Sequence, residues 1–336
     1  MKEAVLYEKL EDQYVHCYLC NQHCRVGAGE RGKCGVRENV GGTLLTLVYD
    51  KVAAVHVDPI EKKPLFHFYP GSTSLSVATM GCNFACSFCQ NADISQVAAH
   101  PWKVRGEAVP PKRIVELAGR EGCRTISYTY TEPTIFMELA EETARLAHQE
   151  GIGNVFVTNG YMTMEALELM DGHLDAANVD LKSFRDEFYS RNCGAHLRPV
   201  LRSIKKMKDM GVWVEVTTLV IPGENDHEEE MRGMAEFLYN IDPEMPWHIS
   251  RFHPAYLMRD RNVTPLATLE RARQIGLEVG LRYVYCGNVP GGDRENTYCP
   301  KCAALVVRRF GFSVLERHVK DGGCARCGTH VAGVGW

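Results

Sequence analysis

Three cysteines lie within residues 82–89, which read CNFACSFC. The spacing C-x3-C-x2-C brings three soft thiolate ligands onto one short loop, and thiolates select iron–sulfur centres. A four-iron cluster held by three thiolates keeps one iron free for a substrate or cofactor, as catalytic metal sites keep one position open. The alternative is a zinc knuckle that takes its fourth ligand from elsewhere. The spacing favours catalytic iron–sulfur chemistry at Cys82, Cys86 and Cys89.

Two further cysteine groups lie near the ends of this chain, which has 14 cysteines. Clusters of this kind in a reducing compartment indicate metals or catalysis rather than disulfides. The C-terminal group has zinc-ribbon or rubredoxin spacing and predicts a zinc site formed by Cys299, Cys302, Cys324 and Cys327. The N-terminal group has uneven gaps that fit either zinc or a second four-iron cluster, and it comprises Cys17, Cys20, Cys24 and Cys34. Three cysteines remain unassigned, and for two of them, Cys193 and Cys286, a buried inert thiol is favoured over a role in substrate chemistry.

Composition excludes several classes of protein. The 336 residues are 45% hydrophobic and 24% charged, which is ordinary for a globular protein, and the formal net charge is −4. A near-neutral balance gives no broad basic surface, so extended nucleic-acid binding is not expected. The N-terminus lacks the apolar core of a signal peptide, and no apolar run is long enough to cross a bilayer. We therefore expect a cytoplasmic protein without membrane contact.

Short apolar runs alternate with helical patterns through the middle of the chain. The predicted strands cover residues 75–79, 125–129, 154–158, 176–181, 212–219, 248–252 and 282–285. Such runs are typical of a parallel sheet buried on both faces, and the alternation predicts an α/β fold. Six or seven units fit a partial, TIM-like (β/α)6 barrel better than a full eightfold one. We expect this barrel at residues 75–290, a Cys-rich extension with short β segments at 1–74, and a zinc-ribbon-like extension at 291–336.

Polar residues follow the predicted strands at their carboxyl ends. Because chemistry in such barrels occurs at that end, these residues are expected to face the cysteine triad. Taken singly they are weak evidence, since threonine and asparagine often cap strands and an aspartate with a lysine can simply form an ion pair. The set consists of Glu132, Thr158, Asn159, Asp180, Lys182, Thr217 and His253.

The sequence around these residues resembles the glycyl-radical-activating branch of the radical S-adenosylmethionine (SAM) superfamily, the group related to pyruvate formate-lyase activating enzyme. The cluster loop continues as Cys89-Gln90-Asn91-Ala92-Asp93, similar to the Cys-His-Asn-x-Asp of that branch. Tyr130-Thr131-Glu132-Pro133 stands at a Gly-Gly-Glu-Pro element, with both glycines replaced. Thr158-Asn159-Gly160 and Asp180-Leu181-Lys182 match its Thr-Asn-Gly and Asp-Leu-Lys elements.

The resemblance implies a radical SAM enzyme, oxidoreductase- or activase-like, with a [4Fe–4S] cluster on the triad and SAM on the open iron. In that superfamily the reduced cluster cleaves SAM to methionine and a 5′-deoxyadenosyl radical, which abstracts a hydrogen atom. The resemblance places Glu132 at the SAM amino group, Lys182 at its carboxylate and His253 at its ribose or adenine. Backbone near Phe88, together with Thr158, Asn159, Asp180 and Thr217, would complete the SAM site.

The flanking segments resemble one family more narrowly, the radical SAM protein of the AmmeMemoRadiSam system. They include Cys17-Tyr18-Leu19-Cys20, Cys193-Gly194-Ala195 and Tyr285-Cys286-Gly287-Asn288. That resemblance implies Memo-like and Amme-like partner proteins, in addition to an electron donor.

Three functions remain open from the sequence. The favoured one is radical modification of a peptide or protein, such as carbon–carbon bond formation at a tyrosine or activation of the glycyl-radical type. The second is radical modification of a small molecule such as a nucleotide or base. The third is a non-enzymatic scaffold that binds several zinc ions.

Overall fold

The N-terminal part of the protein consists of short antiparallel strands. A computed structural model describes residues 1–97, 104–289 and 291–336. The first six strands are β1 (Lys2–Glu3), β2 (Tyr7–Lys9), β3 (Val15–Cys17), β4 (Cys24–Val26), β5 (Arg37–Val40) and β6 (Thr43–Thr46). They form two three-stranded sheets, in the orders β1-β6-β5 and β2-β3-β4.

A nine-stranded sheet with its helices makes up the centre of the protein. Its strands are β7 (Lys51–Pro59), β8 (Thr73–Thr79), β9 (Glu107–Ala108), β10 (Thr125–Tyr128), β11 (Gly153–Thr158), β12 (Ala176–Asp180), β13 (Trp213–Val220), β14 (Trp247–Arg251) and β15 (Val284–Gly287). The helices are α1 (Ala92–Ser95), α2 (Pro111–Arg120), α3 (Met137–Gln149), α4 (Met164–Glu168), α5 (Asp186–Cys193), α6 (Leu197–Asp209), α7 (Glu228–Ile241) and α8 (Leu266–Val279). Short 3-10 turns occur at Glu11–Gln13, Ile60–Lys62 and Pro133–Phe136.

The central sheet is parallel through most of its width. Its order is β15-β14-β13-β12-β11-β10-β8-β7-β9, and each neighbouring pair from β8 to β15 runs parallel. All seven strands predicted from the sequence are among these, so the prediction of an α/β fold with a partial barrel is confirmed. β7, which comes from the segment before residue 75, extends this sheet beyond β8 and pairs antiparallel with both β8 and β9.

The helices cover the sheet with apolar faces. In α6, Val200, Ile204 and Met207 are buried at spacings of four and three residues, which places them on one face of the helix. α5 ends at Cys193 and is followed by Gly194, whose φ of 65° is left-handed and suits glycine. No helix in the described part of the chain is long and apolar enough to cross a membrane.

Five short strands form the C-terminal extension. They are β16 (Thr297–Tyr298), β17 (Leu305–Phe310), β18 (Ser313–Arg317), β19 (Val319–Lys320) and β20 (Gly323–Cys324). β16, β17 and β18 form one sheet and β19 and β20 another. The predicted boundary at residue 290 falls on a position outside the described residues, and the three-segment division stays a prediction.

A buried carboxylate closes the amino-terminal end of the barrel. Glu215, near the start of β13, accepts hydrogen bonds from the backbone N–H groups of Phe66 (3.0 Å) and His67 (2.8 Å). It also accepts from the side chains of Trp213 (3.0 Å) and His248 (2.6 Å). Burial alone would raise the pKa of Glu215, but these donors, His248 first among them, lower it below the ordinary value. The carboxylate therefore joins two strands to the segment that crosses beneath them.

We predict that Glu215→Gln destabilises the protein by about 3 kcal/mol or more, because it removes a buried carboxylate that accepts four hydrogen bonds and leaves some of these donors unsatisfied. The contribution of Glu215 is complete above the ordinary carboxyl pKa and is lost as the pH falls through the lower pKa of the folded state. Thermal unfolding midpoints at neutral and acidic pH measure both effects. Glu236→Gln, at an exposed position on α7, is the control, and equal midpoints for both variants at neutral pH would contradict the prediction.

Candidate active site

The cysteine triad lies on the loop that leaves β8. This loop reaches Cys82 through Gly81, whose φ of 100° is left-handed. A Cβ at Gly81 would lie 2.8 Å from the carbonyl oxygen of Cys34 and 2.7 Å from Val36 Cγ1. Glycine is therefore needed here both for its backbone conformation and for the close approach of the N-terminal extension. Contact with the N-terminal extension therefore fixes the backbone at the start of the loop.

The middle of the loop is bound to the end of α5. The N–H of Ala85 donates to the carbonyl of Cys193 at 2.9 Å, and the N–H of Ser87 donates to that of Asn192 at 2.9 Å. On the far side, the Asn91 side chain donates to the carbonyl of Tyr130 at 2.8 Å. The loop is thus bound to the end of α5 and to the segment after β10 instead of projecting freely.

The three thiols are held apart around a shared space. Among the described residues, the triad is not part of any group of three metal-ligating side chains whose ligand atoms all lie within 4.8 Å of one another. A single tetrahedral zinc needs closer sulfurs, whereas a four-iron cluster binds each thiolate at a different corner. Hydrogen-bond donors approach the sulfurs, with Asn159 Nδ2 at 3.9 Å and the Phe84 N–H at 3.4 Å from Cys82 Sγ. These residues fit a [4Fe–4S] cluster.

A cavity of about 340 Å³ opens beside the triad at the carboxyl ends of the strands. Nearly all of the residues predicted from the sequence line it: Cys82, Cys86, Phe88, Cys89, Glu132, Thr158, Asn159, Asp180, Lys182 and Thr217. His253 does not, because it lies beyond the end of β14 with its side chain exposed to solvent. The structure therefore brings together residues from β8 to β13 but leaves the predicted ribose or adenine contact outside the cavity.

Glu132 is fully engaged by the chain itself. Its Oε1 accepts from the Thr134 N–H at 3.0 Å, the Thr134 hydroxyl at 2.5 Å and the Thr158 hydroxyl at 2.7 Å. Its Oε2 accepts from the Asn159 N–H at 2.8 Å. Burial raises the pKa of this carboxyl, and the donors partly oppose the rise. Glu132 thus joins the carboxyl ends of β10 and β11, in addition to its predicted contact with the SAM amino group.

Asp180 and Lys182 place a charged pair beside the cysteines. Lys182 Nζ lies 2.8 Å from Asp180 Oδ2 and 5.7 Å from the centre of the Phe88 ring. Burial alone would lower the pKa of Lys182, but the Asp180 carboxylate and the Cys86 thiol outweigh it and hold that pKa well above its ordinary value. Lys182 is therefore a fixed cation at the site, as binding of a carboxylate requires.

A second charged group in the cavity wall was missed by the sequence analysis. Lys62 and Lys63 both line the cavity and pair with Asp58, at 2.8 Å and 2.7 Å. Burial lowers the pKa of Lys63 to about 8, against the opposing effect of Asp58. Tyr130, at the first position of the replaced glycine pair, also donates to Asp58. No sequence motif indicates these lysines as site residues. They come from the segment after β7, which is not one of the strand–helix units of the barrel.

Two other sets of residues reach the cavity from distant parts of the sequence. Ser250 and Asn288 line it next to one another, with Asn288 Nδ2 2.9 Å from Ser250 Oγ. Phe312 lines it from the turn between β17 and β18 of the C-terminal extension. Asn288 appeared in the sequence analysis only within the Tyr285-Cys286-Gly287-Asn288 motif, and nothing in the sequence indicated Phe312.

Cys193 and Cys286 have different surroundings. Both are buried. Burial raises the pKa of Cys193 well above its ordinary value, and a hydrogen bond with Cys86 acts in the same direction. Cys286 Sγ lies 3.6 Å from the carbonyl oxygen of Leu269 and does not line the cavity. Cys193 therefore belongs to the surroundings of the triad, while Cys286 belongs to the packing between β15 and α8.

The C-terminal cysteines form a compact group. The ligand atoms of Cys299, Cys302, Cys324 and Cys327 all lie within 4.8 Å of one another. The sulfurs of Cys299 and Cys327 are 3.6 Å apart, and those of Cys302 and Cys324 are 3.8 Å apart. Four thiolates around one tetrahedral ion at roughly 2.3 Å are separated by about 3.8 Å. The spacing is that of a site for a single ion.

Comparison with known proteins bears on the same region. Residues 76–235 match the model of the Radical SAM superfamily. The chain is 45% identical over 334 residues to an uncharacterized protein of Methanocaldococcus jannaschii, covering 98% of this chain and 99% of that one. It is also 25% identical over 217 residues to a putative glycyl-radical enzyme activating enzyme of that organism, covering 63% of this chain and 79% of the relative.

Two further similarities cover about half of the other protein. A probable GTP 3′,8-cyclase of Thermococcus kodakarensis is 31% identical over 161 residues, which are 46% of this chain and 50% of the cyclase. The crystal structure of Streptococcus suis SuiB bound to S-adenosylmethionine aligns with a TM-score of 0.52 at 15% identity, over 68% of this chain and 53% of SuiB. The second similarity shows a shared fold.

We predict that Lys182→Met weakens SAM binding by on the order of tenfold or more, because the cofactor carboxylate and Asp180 both lose their buried cation. Equilibrium dialysis of SAM against anaerobically reconstituted protein measures this loss, with iron content recorded for each sample. Lys206→Met is the matched control, since Lys206 pairs with Glu168 at 3.7 Å and does not line the cavity. Unchanged SAM affinity in Lys182→Met with full iron content would contradict the assigned role.

Proposed function

The chain belongs to the radical SAM superfamily, and from this premise we propose that it carries out radical chemistry on a side chain of a peptide or protein. The observation that carries the proposal is the size of the cavity together with what borders it. At about 340 Å³ the cavity lies at the lower end of the range for small-molecule sites. A SAM molecule would occupy much of that volume, so a second free ligand would find little room inside.

The border of the cavity offers a surface for a larger substrate. Phe312 lines the cavity and is 48% exposed, and Phe310 and Leu315 of the same hairpin are also exposed. Aromatic and aliphatic side chains of this kind are the usual anchors of protein interfaces. A protein segment docked on the hairpin could extend one side chain to the cavity, which supports a macromolecular substrate.

The chain's own residues have defined tasks in this proposal. When bound at Cys82, Cys86 and Cys89, the cluster would supply the electron that cleaves SAM and so produces the radical. Lys182 would hold the SAM carboxylate, while Glu132 fixes the backbone of Thr158 and Asn159 around the cofactor. Phe84 and Phe88, which also line the cavity, would exclude water from the reacting atoms. Orientation and exclusion of competing reactions are what a protein adds to cofactor chemistry.

A small-molecule substrate is the second candidate, because Lys62 and Lys63 could bind an anionic group such as a phosphate. The similarity to a GTP 3′,8-cyclase favours this candidate as well. Against it, both lysines already pair with Asp58, whose carboxylate compensates one of their two charges. A nucleotide or base is therefore the alternative that the test below has to exclude.

Zinc and partner proteins belong to the same proposal. We infer that the compact group formed by Cys299, Cys302, Cys324 and Cys327 binds one zinc ion, which would stiffen the extension that carries Phe312. The Memo-like and Amme-like proteins implied by the AmmeMemoRadiSam resemblance are the first candidates for the docked partner or substrate.

We predict that 5′-deoxyadenosine formation by the reconstituted protein, given SAM and a strong reductant, rises when a protein substrate is added. Candidate Memo-like and Amme-like proteins are compared with nucleotides and bases at equal concentration. Stimulation by nucleotides or bases alone would overturn the proposal in favour of the small-molecule reading. Without any 5′-deoxyadenosine at full cluster content, radical chemistry itself would be excluded.

We also predict that Phe312→Ser raises the KM for the protein substrate by about tenfold, because it removes an apolar anchor. Tyr239→Ser is the control, because Tyr239 is similarly exposed at 43% but lies on α7 and does not line the cavity. An equal KM for Phe312→Ser and the control would rule out docking on this hairpin.

A further inference from the structure

The four N-terminal cysteines surround a cavity of their own. Residues from β3, β4 and the two loops after them bring Cys17, Cys20, Cys24 and Cys34 to the wall of a small space of about 20 Å³. Leu19, Val26, Leu44 and Ile135 complete much of the wall. Three of the four cysteines are buried, and Cys24 is half-buried. Four thiols that face one apolar space, in a chain with two other thiol groups, point to a metal centre.

The spacing of these thiols differs from that of the C-terminal group. Among the described residues, only the C-terminal group combines three or more ligand atoms that all lie within 4.8 Å of one another. The N-terminal thiols are therefore spread more widely than one tetrahedral ion requires. The active-site triad, which fits a cluster, also does not form such a close group. The difference in sulfur spacing thus distinguishes a site for a single ion from sites for a cluster.

Two buried nitrogen donors without partners line the same cavity. Asn83 is 3% exposed and Arg37 is 2% exposed, and both are part of the wall. Asn83 Nδ2 and Arg37 Nε have no hydrogen-bond partner. Arg37 Nη1 lies 3.9 Å from Cys17 Sγ, and the guanidinium also pairs with Glu138. Glu138 Oε2, on the carboxylate that pairs with Arg37, is also without a partner, so Arg37 Nε has a possible acceptor nearby. Buried donors normally find acceptors, so Asn83 Nδ2 indicates a ligand that offers acceptor atoms beyond the four thiolates.

We propose that Cys17, Cys20, Cys24 and Cys34 bind a second [4Fe–4S] cluster. Its inorganic sulfides would accept hydrogen bonds from Asn83 and Arg37, which a lone zinc ion cannot do. Hydrogen bonds to cluster sulfur are among the features that set its reduction potential. This proposal stands independently of the substrate proposed above.

The second cluster would lie next to the active-site loop. Asn83 lines the N-terminal cavity and directly follows Cys82 of the triad. Its carbonyl accepts from Gln22 Nε2 at 2.8 Å, and its Oδ1 accepts from Asn159 Nδ2 at 2.7 Å. One residue thus contacts the surroundings of both centres.

The test separates the two clusters by mutation and measures metal directly. In a variant with Cys82, Cys86 and Cys89 all changed to alanine, anaerobic reconstitution should leave about four irons and four sulfides per chain, with one zinc at the C-terminal site. The wild type should hold roughly eight irons. Electron paramagnetic resonance of the reduced variant should show the signal of a four-iron cluster. The readout needs no SAM cleavage, so failure of the proposed function would not affect it.

If the proposal is correct, the iron content of the triple-alanine variant depends on the four N-terminal cysteines. Adding Cys17→Ala and Cys20→Ala should reduce iron and sulfide to background, whereas adding Cys123→Ala, outside all three groups, should leave them unchanged. Cys24→Ser, at the half-buried position, serves as a milder change if the double variant fails to fold, and it should lower cluster content by at least half. About two zinc ions per chain without iron, or no metal beyond one zinc, would overturn the proposal.

Discussion

The loop that carries Cys82, Cys86 and Cys89 must hold three thiols at fixed separations, and the rest of the structure depends on that constraint. The loop cannot do so alone, because the eight residues 82–89, which have no regular secondary structure, have too much conformational freedom. The N-terminal extension presses on Gly81, α5 binds the middle of the loop through backbone hydrogen bonds, and Tyr130 binds its end. Elements from three parts of the chain are thus required before a cluster can bind in one geometry.

The two ends of the barrel handle charge in different ways. At the amino-terminal end, Glu215 accepts hydrogen bonds from four donors and does not line the cavity beside the triad, so we regard it as a structural group. At the carboxyl end, Lys182 and Asp180 face open space next to thiols that carry negative charge when they bind iron. Buried charges are tolerated only when they are compensated. The charges at the amino-terminal end therefore contribute to stability, whereas those at the carboxyl end are available to bind a charged ligand.

The three cysteine groups show how geometry distinguishes sites of similar composition. Each contains a C-x2-C pair of thiols, yet among the described residues only the C-terminal group brings its sulfurs close enough together for one ion. The difference arises from the supporting structure. Two tight turns face one another in the C-terminal extension, whereas the N-terminal thiols are distributed around a space lined by Leu44 and Ile135 from other elements.

The sequence by itself determined the local features. The triad, the seven parallel strands and most polar residues at their ends follow from spacing and periodicity, because strand ends and short metal-binding loops are encoded by neighbouring residues. Tertiary structure alone decided which distant residues join the cavity. Lys63 and Phe312 enter it from segments outside the barrel, His253 is left exposed, and Cys193 comes to lie beside Cys86. Such contacts depend on how connecting segments pack across the barrel, and no periodic pattern along the chain records that packing.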